Sequence, residues 1–89
     1  MVLMLPVPMV LIHAHWEVRT GLRQLMQATG TGQIVLELDG VERVRSSWPT
    51  DVVRVVVLHV GSEVAPVVEL IRWLLRRPDP PAVMALGNA

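Results

Sequence analysis

The chain has 89 residues, of which 52% are hydrophobic and 18% charged, and its formal net charge is zero. This length allows a single domain, which we predict to span residues 1–89. A zero net charge argues against nucleic acid as the main partner, because duplex binding depends on an excess of cations facing phosphates. The absence of cysteine excludes disulfides and thiolate metal sites.

Residues 1–8 form an apolar segment without arginine, interrupted by Pro6 and Pro8. A secretory signal needs a basic start, and a membrane-spanning helix needs about 20 apolar residues. We therefore predict a short N-terminal extension over 1–8 and a cytoplasmic protein that does not engage a membrane.

Strand and helix patterns alternate after this segment. Residues 9–12 are a short apolar run followed by polar residues, which predicts a buried strand. A helix follows and ends at Gly30. Residues 33–38 predict a second strand, closed by the turn pair Asp39-Gly40. The apolar positions of the first helix, at helical spacing, are Val18, Leu22, Leu25 and Met26.

The second half of the chain continues the alternation. A short second helix is predicted over 41–48, and the β-branched run 52–60 predicts a third strand. An apolar stripe over 64–75 then predicts a third helix, with Ser62 as its N-cap. A last short strand is predicted over 82–86, after a proline-rich stop.

The element order β-α-β-α-β-α-β predicts an α/β fold, a small doubly wound parallel sheet with helices on both faces. Chemistry in such sheets gathers at the carboxyl ends of the strands. The loops 13–17, 38–41 and 59–63 are therefore the candidate site.

Three histidines stand in or beside these loops. His13 and His59 end the first and third strands, which are neighbours in this topology, and His15 follows two residues after His13. Imidazoles with a carboxylate suit zinc or another late transition metal, so one interpretation is a metal site. The other is that these rings hydrogen-bond to loops and bind nothing. Candidate oxygen ligands are Glu17, Asp39 and Glu63.

Several segments resemble the receiver domain of bacterial response regulators, particularly the subfamily with a helix-turn-helix output. The stretch VLIHAHWEVRTGLRQLM over 10–26 resembles the family's first strand and helix, and VVLHV over 56–60 resembles its phosphorylated strand. Asp39-Gly40, ELIR over 69–72, RRPD over 76–79 and VMAL over 83–86 match later parts. The resemblance implies a flavodoxin-like sheet and a role in two-component signalling or transcriptional regulation.

The phosphorylation-site positions of that family are degenerate in this chain. Its acidic pair falls at His13 and Ala14, its phosphoacceptor at His59 and its hydroxyl residue near Gly87, while its lysine has no counterpart because the chain has none. Aspartyl phosphorylation needs carboxylates as nucleophile and magnesium ligands, and imidazoles bind that hard cation poorly. The resemblance therefore implies a non-enzymatic pseudo-receiver without a cofactor, zinc being the alternative.

A receiver continues with a helix, a strand and a further helix, whereas this sequence stops after the fourth strand. The missing last helix would cover the same sheet face as the first, so we expect exposed apolar surface there. Val18, Leu22, Leu25 and Met26 are the predicted interface, with a second copy or another protein as partner. Three functions stay open: a phosphorylation-independent interaction module, a small metal-binding protein, and a truncated regulator without a role of its own.

Overall fold

Four strands alternate with helices in a computed structural model that describes residues 6–87. The alternation confirms the predicted element order. The elements are β1 (Val7–Ile12), α1 (Trp16–Thr29), β2 (Gly32–Leu38), a 3-10 turn (Val41–Arg43) running into α2 (Val44–Ser47), β3 (Val55–Val60), α3 (Val64–Leu75) and β4 (Ala82–Gly87).

All four strands are parallel and lie in the order β2-β1-β3-β4. This confirms the predicted α/β class, a doubly wound parallel sheet compatible with a flavodoxin-like fold. Parallel neighbours require crossover connections, and the three helical segments supply them. Among residues 6–87 no helix has the length and apolar character to cross a membrane.

The main core lies between the sheet and α3. Alternate residues of β1 and β3 turn one face of the sheet toward this helix, because successive side chains of a strand point to opposite sides. The core is made of Val10, Ile12, Val44, Val53, Val56, Leu58, Val67, Leu70 and Leu74. The apolar stripe predicted for the third helix therefore supplies one wall of the core.

The opposite face, under α1, is packed more thinly. None of the residues of α1 is buried. The helix is tied to β2 through Glu37, whose carboxylate pairs with Arg23 and lies 3.8 Å from Nε of Arg19. Polar contacts thus contribute to holding α1, whereas apolar burial holds α3.

A bulge in β2 makes this arrangement possible. Met9 pairs with Ile34, but Val10 pairs with Leu36, so Val35 is an extra residue in the ladder. After the shift, Glu37 lies opposite Leu11, on the α1 face. Leu36 and Leu38 turn to the other face, where they pack against the core.

Two tryptophans pack against each other near the C-terminal ends of α2 and α3. Trp48, at the end of α2, meets Trp73 of α3 edge to face, with ring centroids 5.4 Å apart. The guanidinium of Arg77 lies 5.0 Å from the ring of Trp48 and 4.9 Å from that of Trp73. This cluster joins the C-terminal ends of α2 and α3.

The strand starts differ from the sequence prediction. β1 begins at Val7, so Val7 and Pro8 of the predicted extension belong to the sheet, while residues 1–5 lie outside the described range. Proline has no backbone N–H to donate, but Pro8 still joins the ladder because its carbonyl accepts a hydrogen bond from the backbone N–H of Arg54. β3 starts at Val55 rather than at residue 52, and Val52 is 56% exposed.

The N-cap prediction for α3 was wrong. The cap is Glu63, in an extended conformation and without a side-chain hydrogen bond, and Ser62 lies one residue outside. The stop of α1 was right: Gly30 adopts the left-handed conformation with φ of 69°, and its N–H donates to the carbonyl of Met26.

Candidate functional site

The three predicted loops meet in one cleft at the carboxyl edge of the sheet. The cleft has a volume of about 230 Å³. Residues lining it include His13, Ala14, Asp39, Gly40, His59 and Glu63. The structure thus brings together the loops predicted from the element order, and their role as a functional site stays a prediction.

His13 and His59 stand side by side in this cleft. They follow Ile12 and Leu58, which are paired residues of the neighbouring strands β1 and β3. Their ring centroids are 4.4 Å apart, with the planes inclined by 32°. The predicted approach of the two rings is confirmed, and their role stays a prediction.

His13 is the buried member of the group, with 7% of its surface exposed. Its Nδ1 accepts a hydrogen bond of 3.0 Å from the backbone N–H of His15. Burial lowers the pKa of His13, and the nearby His59, His15 and Arg19 lower it further. An accepting Nδ1 belongs to a neutral imidazole with its proton on Nε2, in keeping with the lowered pKa.

His15 occupies a different environment. It is the exposed N-cap residue of α1, makes no side-chain cap hydrogen bond, and its ring centroid is 5.5 Å from that of His13. In residues 6–87 no group of three His, Asp or Glu side chains is placed to hold a metal ion. The structure thus brings two imidazoles together with a third nearby, and the zinc interpretation stays a hypothesis.

The other degenerate positions carry no reactive group. Ala14 is exposed next to His13, and Gly87 ends β4 in register with Val60. Gly87 is therefore on the strand beside His59, at the same edge of the sheet. The four positions for which the resemblance predicts a degenerate site therefore carry two imidazoles, a methyl group and a hydrogen.

Two residues of this region were missed by the sequence reasoning. Glu42 lines the cleft, and its carboxylate lies directly over Gly40. The guanidinium of Arg19 donates to the carbonyl of His13 and so ties α1 to the end of β1. The helical turn after Asp39-Gly40 was the available signal for Glu42. Of the proposed oxygen ligands, Asp39 and Glu63 line the cleft and Glu17 does not.

A second depression lies on the α1 face of the sheet. It has a volume of about 140 Å³ and is lined only by apolar residues: Met9, Leu11, Leu22, Met26, Ile34, Val57, Met84 and Leu86. Only two of the four predicted interface residues line this groove. Leu22 and Met26 face this apolar groove, while Val18 and Leu25 lie outside it, 37% and 52% exposed.

Comparisons with protein-family models, curated proteins and solved structures give no match for this chain. What supports a function is therefore the fold, the geometry of the cleft and the exposed apolar surface.

Proposed function

We propose that this chain is a receiver-like module that acts through protein–protein contact in two-component-type signalling or transcriptional regulation, without phosphotransfer or catalysis. One observation carries the proposal. His13 and His59 lie 4.4 Å apart, ring to ring, at the ends of adjacent parallel strands. By the resemblance of these segments, a phosphorylated receiver has carboxylates at the same two strand ends.

The chemistry of the cleft supports the loss of phosphotransfer. An acyl phosphate forms only on a carboxylate, and the strand-end position for it holds the imidazole of His59. A magnesium ion prefers oxygen ligands, whereas His13 and His59 offer imidazole nitrogens at the two strand ends. In residues 6–87 the acidic residues of the cleft do not form a group of three that could hold a metal ion. Signals therefore reach this module through binding rather than through modification of the cleft.

The surface around α1 supports a role in protein contact. Val18, Leu25 and Met84 expose 37%, 52% and 55% of their surface, and the apolar groove opens between α1 and the sheet. Contiguous exposed apolar surface marks interaction sites in proteins. We propose a second copy or another protein as the partner of this face.

Restoring the carboxylates tests the proposal. We expect the triple variant His13→Asp, Ala14→Asp, His59→Asp to bind Mg²⁺ in calorimetric titration, because three carboxylates then stand at adjacent strand ends beside the acidic residues that already line the cleft. The wild-type protein is expected to give no Mg²⁺ heat and no modification by acetyl phosphate in mass spectra. The matched control carries three aspartates outside the cleft, as Gln24→Asp, Ala28→Asp and Ser46→Asp.

Two results would overturn the proposal: a folded triple variant that binds Mg²⁺ no better than the control, or a wild-type chain that acetyl phosphate labels. If circular dichroism shows the triple variant unfolded, the double variant Ala14→Asp, His59→Asp keeps the buried His13 and is titrated instead. It is expected to bind Mg²⁺ more tightly than the control, and binding no tighter than the control would likewise overturn the proposal.

Zinc binding is a second candidate, favoured by the adjacent rings of His13 and His59 and by His15 close to them. A metal would bind Nε2 of His13, since its Nδ1 accepts the His15 N–H. Metal analysis after dialysis against zinc would then find about one ion per chain, lost in His13→Ala and His59→Ala. Wild-type protein that retains no more zinc than these variants would exclude this candidate.

A further inference from the structure

In the part of the chain that the structure describes, residues 6–87, β4 is an open edge of the sheet. It pairs with β3 on one side only among the described residues. The N–H of Ala82 donates to the carbonyl of Arg54, on the β3 side. Since successive residues of a strand turn their peptide groups to opposite sides, Val83 and Ala85 present theirs to the open edge.

This edge lacks the features that keep exposed strands from pairing. Soluble proteins protect open edges with charged side chains, proline or bulges. β4, with the sequence AVMALG, has no charge and no proline, and its ladder with β3 is regular. The other edge strand, β2, has a bulge and carries Glu37. β4 is therefore the edge suited to pairing.

The apolar groove reaches this same edge. Met84 and Leu86 line it together with Val57 of β3, and Met84 is 55% exposed. A stable dimer buries about 800 Å² on each partner, more than backbone pairing of one short strand provides. Side chains on the groove side must therefore be covered together with the edge.

We propose that β4 pairs antiparallel with β4 of a second copy, joining two sheets into one continuous eight-stranded sheet. The inference rests on the proposed function, in that it names the protein contact through which the module acts. A second copy fits because the uncharged strand brings no like charges together and the net charge of each chain is zero. A two-fold interface is also the commonest form of self-association.

The geometry of the pair follows from the strand itself. With the two-fold axis at Met84, Val83 of each copy faces Ala85 of the other, and both residues exchange backbone hydrogen bonds. The Met84 side chains then meet across the axis, and the apolar grooves of the two copies become continuous.

Sedimentation velocity over a wide concentration range tests the pairing. We expect a monomer–dimer equilibrium for the wild-type chain. Ala85→Pro removes one edge-facing N–H from each copy while leaving the β3–β4 ladder intact, so we expect self-association at least about tenfold weaker. Met84→Lys places two cations at the axis, and we expect only monomer. Ala28→Lys adds the same charge on an exposed residue of α1 and is expected to dimerise like the wild type.

A folded wild-type chain that stays monomeric at every concentration would overturn the inference, and so would a dimer unaffected by both Ala85→Pro and Met84→Lys. If Ala85→Pro does not fold, Met84→Lys decides alone, because the side chain it replaces is more than half exposed. These outcomes are separate from those for the proposed function. Mg²⁺ binding by the restored cleft of a monomeric chain would leave that function standing and remove only the β4 pairing.

Discussion

The ring of His13 lies 4.4 Å from the ring of His59, and this neighbour makes protonation of His13 less favourable. His13 is the ring that is also buried. The pair therefore links the strand-end cleft to the pH dependence of folding.

We predict that the free energy of unfolding falls as the solution is acidified. The pKa of His13 is lowered in the folded chain from the 6.5 of a free imidazole, first by burial and then by His59. The unfolded chain then binds a proton that the folded chain resists, so this contribution is complete above about pH 6.5 and is lost as pH falls through the lowered pKa. Urea unfolding at a series of pH values measures it.

His13→Gln should flatten this pH dependence because it removes the titrating ring. His15→Gln is the control, since it removes only a smaller influence on His13 and should leave most of the slope. Equal slopes for the wild type and His13→Gln between pH 8 and 5 (the range in which imidazoles titrate) would contradict the prediction.

Neighbouring leucines of α3 provide a matched test of the core. Leu74 is completely buried and Leu75 is 61% exposed. We predict that Leu74→Ala lowers the free energy of unfolding by about 2–5 kcal/mol. Leu75→Ala is expected to change it by no more than about 0.5 kcal/mol. Denaturant titration of both variants gives the comparison, and similar losses in both would show that α3 packs by another face.

The neighbours Arg76 and Arg77 separate cation–π packing from the general benefit of charge at a helix end. Arg77 lies within 5.0 Å of both tryptophan rings, and Arg76 is exposed at the end of α3. We predict that Arg77→Ala destabilises the fold by about 0.5–2 kcal/mol and changes the tryptophan fluorescence. Arg76→Ala should leave the fluorescence spectrum unchanged. A spectral change of the same size in Arg76→Ala would refute the assignment of the cation–π packing to Arg77.

Glu37 is expected to control the local stability of α1. Because that helix has no buried residue, loss of the carboxylate in Glu37→Gln weakens its contacts with Arg19 and Arg23. We predict amide exchange in α1 faster by roughly five- to tenfold, on the order of 1 kcal/mol. Glu69→Gln breaks an exposed pair with Arg72 and serves as control. Equal exchange in both variants would mean that apolar contacts alone hold α1.

Periodicity was sufficient for the order of elements and for the place of the cleft. Local apolar patterns predict strands and helices, and parallel topology then brings His13 and His59 to one edge. The ends of elements were predicted less well. Ser62 has the side chain of an N-cap, yet α3 begins one residue later, and residue 52 has strand propensity but no strand to pair with.

Contacts between distant segments were beyond the sequence reasoning. The partners of Glu37 lie on α1, and one of them, Arg23, is 14 residues away in the sequence. The pairing also depends on the register shift between β1 and β2. The contact of Arg19 with the carbonyl of His13 likewise depends on how α1 is set against the sheet. Neither has a local periodic signal.

The shift between β1 and β2 also bears on misfolding. An uninterrupted ladder starting from the pair Met9–Ile34 would place Glu37 opposite Ile12, with its carboxylate in the apolar layer beneath α3. Burying an unpaired carboxylate is strongly unfavourable. Glu37 therefore makes the uninterrupted alignment of β1 and β2 unfavourable. In the observed alignment, with Val35 as the extra residue, its carboxylate contacts Arg19 and Arg23 instead.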